Sequence, residues 1–331
     1  MSAFPNREAG APRVSIVIVC YNQLEFFDEA IQGCLAQAET FSDLEIVIAD
    51  DGSTDGTTDA ARQWAERHPD IIRLALSDTN GGIAANMTAG LKAARGEFVA
   101  WLGGDDVMLP GKIVRQVEML DRQPEVSGCY HDAEVFEWPS GEVLGLFSRL
   151  YGGRAFKIDR VDARRMLDPR VQMLPSTLLV RRDRMPAGFD PRFRFHNDYL
   201  FDFETIAFGG PYVRLDGCFV RYRKHQRSIG KDKQVVSTLI EENLMVLGAI
   251  TARYPRYASA IRRREVYYLL LEALKAHRRG DHARGAELTR AVWAKGAWGK
   301  AIALKLLRRP LSYLADPRYR RLALELRSRF G

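Results

Sequence analysis

The sequence predicts an α/β protein built on a mainly parallel central sheet, followed by a helical C-terminal region. Three observations predict it. Strand-like and helix-like hydrophobic periods alternate over the first hundred residues, the mark of βαβ units. The early strand candidates are continuous apolar runs rather than alternating ones, as expected of strands covered on both faces. From about Gln234 the pattern is helical to the end of the chain, broken at Pro255, Gly280, Pro310 and Pro317.

The elements follow in order. Val14–Val19 is a β-branched run and the first strand, and a helix follows from about Phe26 to Gln37. Leu44–Ala49 is the second strand. Thr57–His68 is a helix closed by Pro69, and Ile71–Leu76 is the third strand. Gly82–Ala93 reads as a helix and Glu97–Leu102 as the fourth strand. Pro110–Arg122 reads as a helix with proline in its first turn, where the missing N–H costs nothing. The middle of the chain is mixed, with short strands at Gly128–Phe136, Thr177–Val180 and Tyr212–Arg221 and a helix around Tyr199–Phe208. Leu269–Val292 resembles a helical hairpin turning at Gly280-Asp281. No internal repeat is present.

A chain of 331 residues, 46% of them hydrophobic, is long enough for one α/β domain plus an appendage. The composition excludes disordered, collagenous and fibrous classes. Cys20, Cys34, Cys129 and Cys218 form no CxxC pair and read as small buried hydrophobes of a reducing compartment. The N-terminal stretch MSAFPNREAGAPR carries no signal-peptide pattern, and no window offers the roughly 20 apolar residues of a membrane span. A soluble or peripheral cytoplasmic protein is expected. Residues 251–331 hold 20 Lys/Arg against 6 Asp/Glu, a balance of +14, whereas the whole chain carries +7. A basic tail on an acidic body points to an anionic partner for the tail.

Ligands bind at the carboxyl ends of parallel strands. Here those ends read Cys20-Tyr21-Asn22, then Asp50-Asp51-Gly52-Ser53-Thr54-Asp55-Gly56, then Asn80-Gly81-Gly82 with Asn86, then Gly103-Gly104-Asp105-Asp106. No GxGxxG follows the first strand, which argues against a dinucleotide-binding domain. Clustered carboxylates are costly unless a cation or donors compensate. Mg²⁺ or Mn²⁺ is held by one or two carboxylates plus substrate phosphates, so Asp105 and Asp106 are natural ligands. Asp51 suits a uracil ring, since a carboxylate accepts the N3–H. The plain alternatives are a turn with a helix cap at Ser53 or Asp55 and a turn before a helix at Gly103–Asp106.

The segments VSIVIVCYNQLEFFDEAIQGCLAQ, LEIVIADDGSTDGT and TNGGIAANMTAGLKAARGEFVAWLGGDDVMLPGKI closely resemble the family 2 glycosyltransferases of the GT-A fold. So do MPAGFDPRFRFHNDYLFDFETIAFG and VRYRKHQRSIG, later in the chain. The resemblance covers roughly residues 13–230 and implies a GT-A nucleotide-binding sandwich. It divides the chain into a flexible N-terminus (1–12), a catalytic domain (13–232, with a nucleotide-sugar half to 125 and an acceptor half from 126) and a basic helical region (233–331). It implies an inverting, metal-dependent transferase moving a sugar from a nucleotide-sugar, with UDP expected, to a saccharide or lipid-linked saccharide in surface-polysaccharide synthesis. Tyr21, Asn22, Asp51, Asn80, Gly82, Asn86 and Asp105 are the expected nucleotide-side residues. Asp105, Asp106 and His225 are the expected metal set, for Mn²⁺ or Mg²⁺. Asp198 stands at the catalytic base, with Asp202 one turn later as competitor; a helix-terminal carboxylate and a packed histidine are the plain readings of Asp198 and His225.

Three positions depart from the family pattern. Gly103 replaces the first acid of the metal motif, Asn197 replaces the glutamate that commonly precedes the base, and Ala84 and Ala85 stand where basic residues are common. Two rival classes remain. A nucleotidyltransferase should carry a glycine-rich basic loop near the first strand, but residues 20–27 contain no Lys or Arg. A non-catalytic scaffold should have lost Asp105, Asp106 or Asp198, and all three are present. No nucleic-acid motif appears. The tail is expected to hold the protein at an anionic membrane surface, through the stripe Trp298, Ala301, Ile302, Lys305 and Leu306; packing within the tail or a homodimer interface is the alternative.

Overall fold

The computed structural model describes residues 9–152, 158–169, 171–227 and 233–302. Its chain divides into two compact units, Met1–Val246 and Leu247–Gly331.

The first unit begins with β1 (Val14–Cys20), α1 (Leu24–Leu35), β2 (Leu44–Asp50), α2 (Thr57–Arg67), β3 (Ile72–Leu76), α3 (Ile83–Ala93) and β4 (Phe98–Gly103). Next come β5 (Val107–Met108), α4 (Lys112–Asp121), β6 (Gly128–Glu137), β7 (Val143–Leu146), β8 (Arg160–Val161), α5 (Ala163–Met166) and β9 (Leu179–Arg181). The unit continues with α6 (Asn197–Gly209) and β10 (Tyr212–Lys224). Helix α7 (Lys233–Arg253) runs across the division between the units.

The sheet order is β3-β2-β1-β4-β9-β6-β10-β5, with β7 on β6 and β8 on β10. The pairs β3-β2, β2-β1 and β1-β4 are parallel. The far half is mixed: β9 runs antiparallel to both β4 and β6, whereas β6 and β10 run parallel. The expected α/β class with a parallel sheet and a helical C-terminal region is therefore observed, with antiparallel β9 joining its two halves.

Both faces of the parallel half are covered, which explains its unbroken apolar runs. Ile16, Ile18, Ile46, Ile48 and Phe98 share one core with Phe27 and Ile31 of α1, Trp64 of α2, and Ile113, Val117 and Leu120 of α4. On the opposite face α3 lies so close that a Cβ on Gly90 would stand 2.5 Å from Val17 Cγ1 and 3.1 Å from Ala49 Cβ. Gly90→Val should therefore cost about 1–3 kcal/mol by overpacking. Urea denaturation checks this, and an unchanged midpoint would contradict the close approach.

Several boundaries differ from the sequence reading. Helix α4 starts at Lys112, after Gly111 with φ +80°, so Pro110 precedes the helix instead of opening it. Residues Pro175–Thr177 form a 3₁₀ turn, and β9 starts two residues later than expected. The two-residue strand β5 carried no periodic signal.

In the second unit, α8 (Ala258–Arg279) and α9 (His282–Ala294) form the expected hairpin. Gly280, at φ +83°, ends α8, and the Asp281 carboxylate accepts the Arg284 N–H to open α9. Residues 298–302 are helical, with Ala301 buried and Trp298 and Ile302 exposed. The rest of the proposed stripe, Lys305 and Leu306, lies outside the described residues. No helix among the described residues is long and apolar enough to cross a membrane.

Candidate active site

The register of the parallel strands brings three loops to one edge. Cys20 pairs with Asp50 across β1-β2, and Val19 pairs with Gly103 across β1-β4. The residues that follow, Tyr21, Asp51 and Gly104, thus leave the sheet side by side. Asn86, fully buried on α3, donates from its amide to the carbonyl oxygens of Cys20 and Ala49, both at 3.1 Å. Its role here is to tie β1 to β2 beneath the site.

The loop after β2 divides its acids between tasks. Asp50, fully buried, accepts from the Ser53 and Thr58 hydroxyls and the Ser53 N–H. Asp55 accepts the N–H groups of Leu24 and Thr57, the first residues of α1 and α2. The N-cap of α2 is Gly56, with no side-chain cap, and Ser53 instead receives the Asn22 N–H at 2.8 Å. Asn22 itself has φ +52° and accepts the Thr54 N–H at 2.8 Å, which locks the turn after β1. Asp51 is buried, and its two oxygens accept the N–H groups of Gly81 and Gly82, each at 2.9 Å. Asn80 also accepts from Gly82 N–H, at 3.1 Å. The Asn80-Gly81-Gly82 loop is thus folded onto Asp51, and the Tyr21 ring is exposed beside it.

The loop after β4 holds two carboxylates in opposite environments. Asp106 is 2% exposed; its oxygens accept the Ser176 hydroxyl at 2.6 Å and the Arg223 N–H at 3.1 Å. Burial, with neighbouring Asp105 adding to it, pushes this carboxyl well above the usual range. Asp105 keeps more exposure, and its Oδ2 lies 2.9 Å from His225 Nε2. His225 Nδ1 accepts the Arg227 N–H at 3.2 Å. With Nδ1 as acceptor, the neutral ring carries its proton on Nε2 and donates to Asp105.

Arg223 organises this corner. Its side chain is buried, donates from Nε to the Asp105 carbonyl at 2.7 Å and pairs with Glu29 of α1. The guanidinium sits 4.6–5.2 Å from the ring centroids of Phe26, Phe136 and Trp138.

Asp198 opens α6 with the Tyr199 N–H on its Oδ1 at 2.7 Å. Burial, opposed by that hydrogen bond and joined by the charge of Glu242, raises the carboxyl to about 6. Asp202 is more deeply buried and accepts the Tyr212 hydroxyl at 3.0 Å. Phe201, on the same helix, stacks on Phe189 with centroids 4.0 Å apart, and both meet Trp101 of β4 edge-on. The helix that begins with Asp198 therefore packs against the strand that delivers Asp105.

The profile described as Glycosyl transferase family 2 matches residues 15–172. The match covers just under half of the chain, which is to that extent similar to glycosyltransferase family 2. An uncharacterized protein of Mycobacterium tuberculosis is 34% identical over 221 residues, 65% of this chain and 60% of that protein. An uncharacterized glycosyltransferase of Nostoc is 40% identical over 125 residues, 38% of each chain. The chain thus spans about 60% of the length of its mycobacterial relatives. In fold it is similar to residues 1–349 of S. aureus TarS, solved with UDP-GlcNAc (TM-score 0.62, 16% identity, 91% of this chain and 87% of that one). It is also similar to a mannosyltransferase of Pyrobaculum calidifontis solved with GDP-Man and Mn²⁺ (TM-score 0.56, 19% identity, 95% and 87%).

The expected metal set is not assembled as drawn from the sequence. No cluster of three His, Cys, Asp or Glu side chains suited to a metal occurs among the described residues. Asp106 is committed to Ser176 and Arg223, and His225 Nε2 acts as a donor to Asp105. The residues do fit a cation held jointly with a diphosphate. Asp105 Oδ1 lies against Gly103, where a Cβ would come within 2.7 Å of it, so the missing first acid is what lets that oxygen stand there. One carboxylate plus phosphate oxygens is a sufficient set for Mg²⁺ or Mn²⁺.

Sequence reasoning missed Arg223 and Ser176. A signal for Arg223 existed: Arg221 and Arg223 lie two apart on one face of β10, and His225 follows at the same period just past its end.

Proposed function

We propose that this protein is an inverting glycosyltransferase of family 2 that takes its sugar from a nucleoside diphosphate-sugar, with Asp198 as general base. The observation that carries the reading is the placement of β4, whose end delivers Asp105 to His225 while its Trp101 packs on the helix that presents Asp198. The Asp51 loop lies at the same sheet edge and suits the nucleoside. A UDP-sugar is the favoured donor, because Asp51 can accept the N3–H of uracil.

In the reaction, the Asp198 carboxylate takes the proton of an acceptor hydroxyl. The hydroxyl oxygen bonds to the anomeric carbon, and the bond from that carbon to the diphosphate oxygen breaks, the electron pair leaving with the nucleotide. One displacement inverts the anomeric centre. A bound Mg²⁺ or Mn²⁺ would stabilise the charge on the departing diphosphate, and Asp105 is the residue that would hold it. The His225 Nε2–H, now on Asp105, is placed to donate to a phosphate oxygen. Asp202, tied to Tyr212, supports the helix.

A thermal-shift screen of nucleotide sugars, with and without Mn²⁺, tests the donor class. A true donor at 100 times its dissociation constant stabilises by about 2.7 kcal/mol. No shift with any UDP-, GDP- or dTDP-sugar would overturn the reading.

The acceptor is proposed to be a saccharide or lipid-linked saccharide of surface-polysaccharide assembly. The basic region from 233 is proposed to keep the enzyme at the cytoplasmic membrane face. Its motivation is the +14 balance of residues 251–331. Basic residues near an anionic leaflet contribute about 1 kcal/mol each. The protein should co-sediment with phosphatidylserine vesicles at low salt, and truncation near residue 295 should abolish this. Equal recovery in the supernatant with anionic and neutral vesicles would remove the membrane role and leave packing within the tail or a dimer interface.

A further inference from the structure

Helix α7 carries one buried carboxylate that does not belong to the helical region's own packing. Glu242 is 7% exposed. Its Oε1 accepts two consecutive backbone N–H groups, from Phe195 at 2.6 Å and from His196 at 2.7 Å. These belong to the residues directly before α6, whose second residue is Asp198. His196, at the N-cap, offers α6 no side-chain cap. Glu242 thus holds the two peptide groups that lead into the helix, reached across 46 residues of chain.

We propose that Glu242 is a positioning residue for the catalytic base: it clamps the entry to α6 and fixes where Asp198 points. The inference rests on the reading of Asp198 as the base. Two consecutive N–H groups converging on one carboxylate oxygen fix the orientation of two peptide planes. With those planes fixed, the turn that presents Asp198 has little freedom. A displacement of a reacting group by about 1 Å can cost 10²-fold in rate.

Two charged groups act on or with Asp198, from α6 and α7. Asp202 lies one turn along the same helix and is bonded to Tyr212 of β10. Glu242 comes from α7, with His196 Nδ1 3.8 Å from its Oε1. The Glu242 charge acts to raise Asp198. Removing that charge lowers the pH at which the base loses its proton.

Two substitutions separate clamp from charge. In Glu242→Gln the side-chain carbonyl still accepts both N–H groups, so kcat at neutral pH should stay within about threefold, while the acid limb of the kcat–pH profile moves to lower pH. In Glu242→Ala the clamp is lost, and kcat should fall roughly 10- to 100-fold with the KM for the donor unchanged. Asp198→Asn is measured alongside. An inactive Asp198→Asn with a Glu242→Ala of unchanged kcat and pH profile overturns the positioning role and leaves the base intact. An active Asp198→Asn overturns the base instead. Circular dichroism and nucleotide-sugar binding of Glu242→Ala guard against misfolding. If it fails to fold, the pH profile of Glu242→Gln decides alone, and an unmoved acid limb overturns the proposal.

Discussion

Asp198→Asn should lower kcat by roughly 10² to 10⁴ while the donor still binds. The asparagine keeps the shape and can still accept the Tyr199 N–H, but it cannot take a proton. Its effect belongs to the acceptor step, so the KM for the nucleotide-sugar should change little. The wild-type enzyme should also lose activity as pH falls through about 6, because burial raises the Asp198 carboxyl to that value and only the ionised form is a base. The sign for stability is opposite. A buried acid with a raised value binds its proton more readily in the folded state, so its contribution favours folding at low pH and is lost as pH rises through about 6. Activity and stability should therefore move in opposite directions across that window. Asp202→Asn should behave differently and keep activity, because its carbonyl oxygen can still accept the Tyr212 hydroxyl. A dead Asp202→Asn beside an active Asp198→Asn would reverse the assignment.

Asp105→Asn should lower kcat by roughly 10² to 10³ and leave the fold intact, since a preorganised charge at a leaving group is worth that much. The side chain is partly exposed and its one described partner is His225. Losing it removes the carboxylate that would share a cation with the diphosphate, so the Mn²⁺-dependent part of the thermal shift should vanish as well. Asp106→Asn makes the contrast. That carboxylate is buried and accepts from Ser176 and Arg223. Turning one oxygen into an amide donor sets donor against donor, at a cost of about 1–3 kcal/mol in stability. Equal activity losses with no stability loss for Asp106→Asn would show that both acids serve the cation.

The parallel half of the fold was legible because its strands are buried on both faces, and their β-branched runs stand out from the polar helix faces between them. The loops at their ends were legible for the same reason: carboxylates directly after such runs have nowhere to go but the sheet edge. What each carboxylate does there was not legible. Asp50, Asp51, Asp105 and Asp106 look alike in sequence, and only their donors separate them. Those donors lie from three to more than a hundred residues away, as with Ser53 on Asp50 and Arg223 on Asp106. Arg223 would pass for an exposed strand residue until Phe26, Phe136 and Trp138 enclose it. Glu242 was hidden by the same distance, because a helix that reads as part of an appendage carries the side chain that binds the residues before α6.

The central claim, single displacement with Asp198 as base, is tested most directly by the anomeric outcome. Water can stand in for the acceptor in the slow hydrolysis of whichever nucleotide-sugar the thermal screen selects. Proton NMR recorded faster than mutarotation reads the configuration of the first sugar released. The account predicts the anomer opposite to that of the donor, formed by the wild type and lost in Asp198→Asn. Retained configuration, or an undiminished rate in Asp198→Asn, would contradict it.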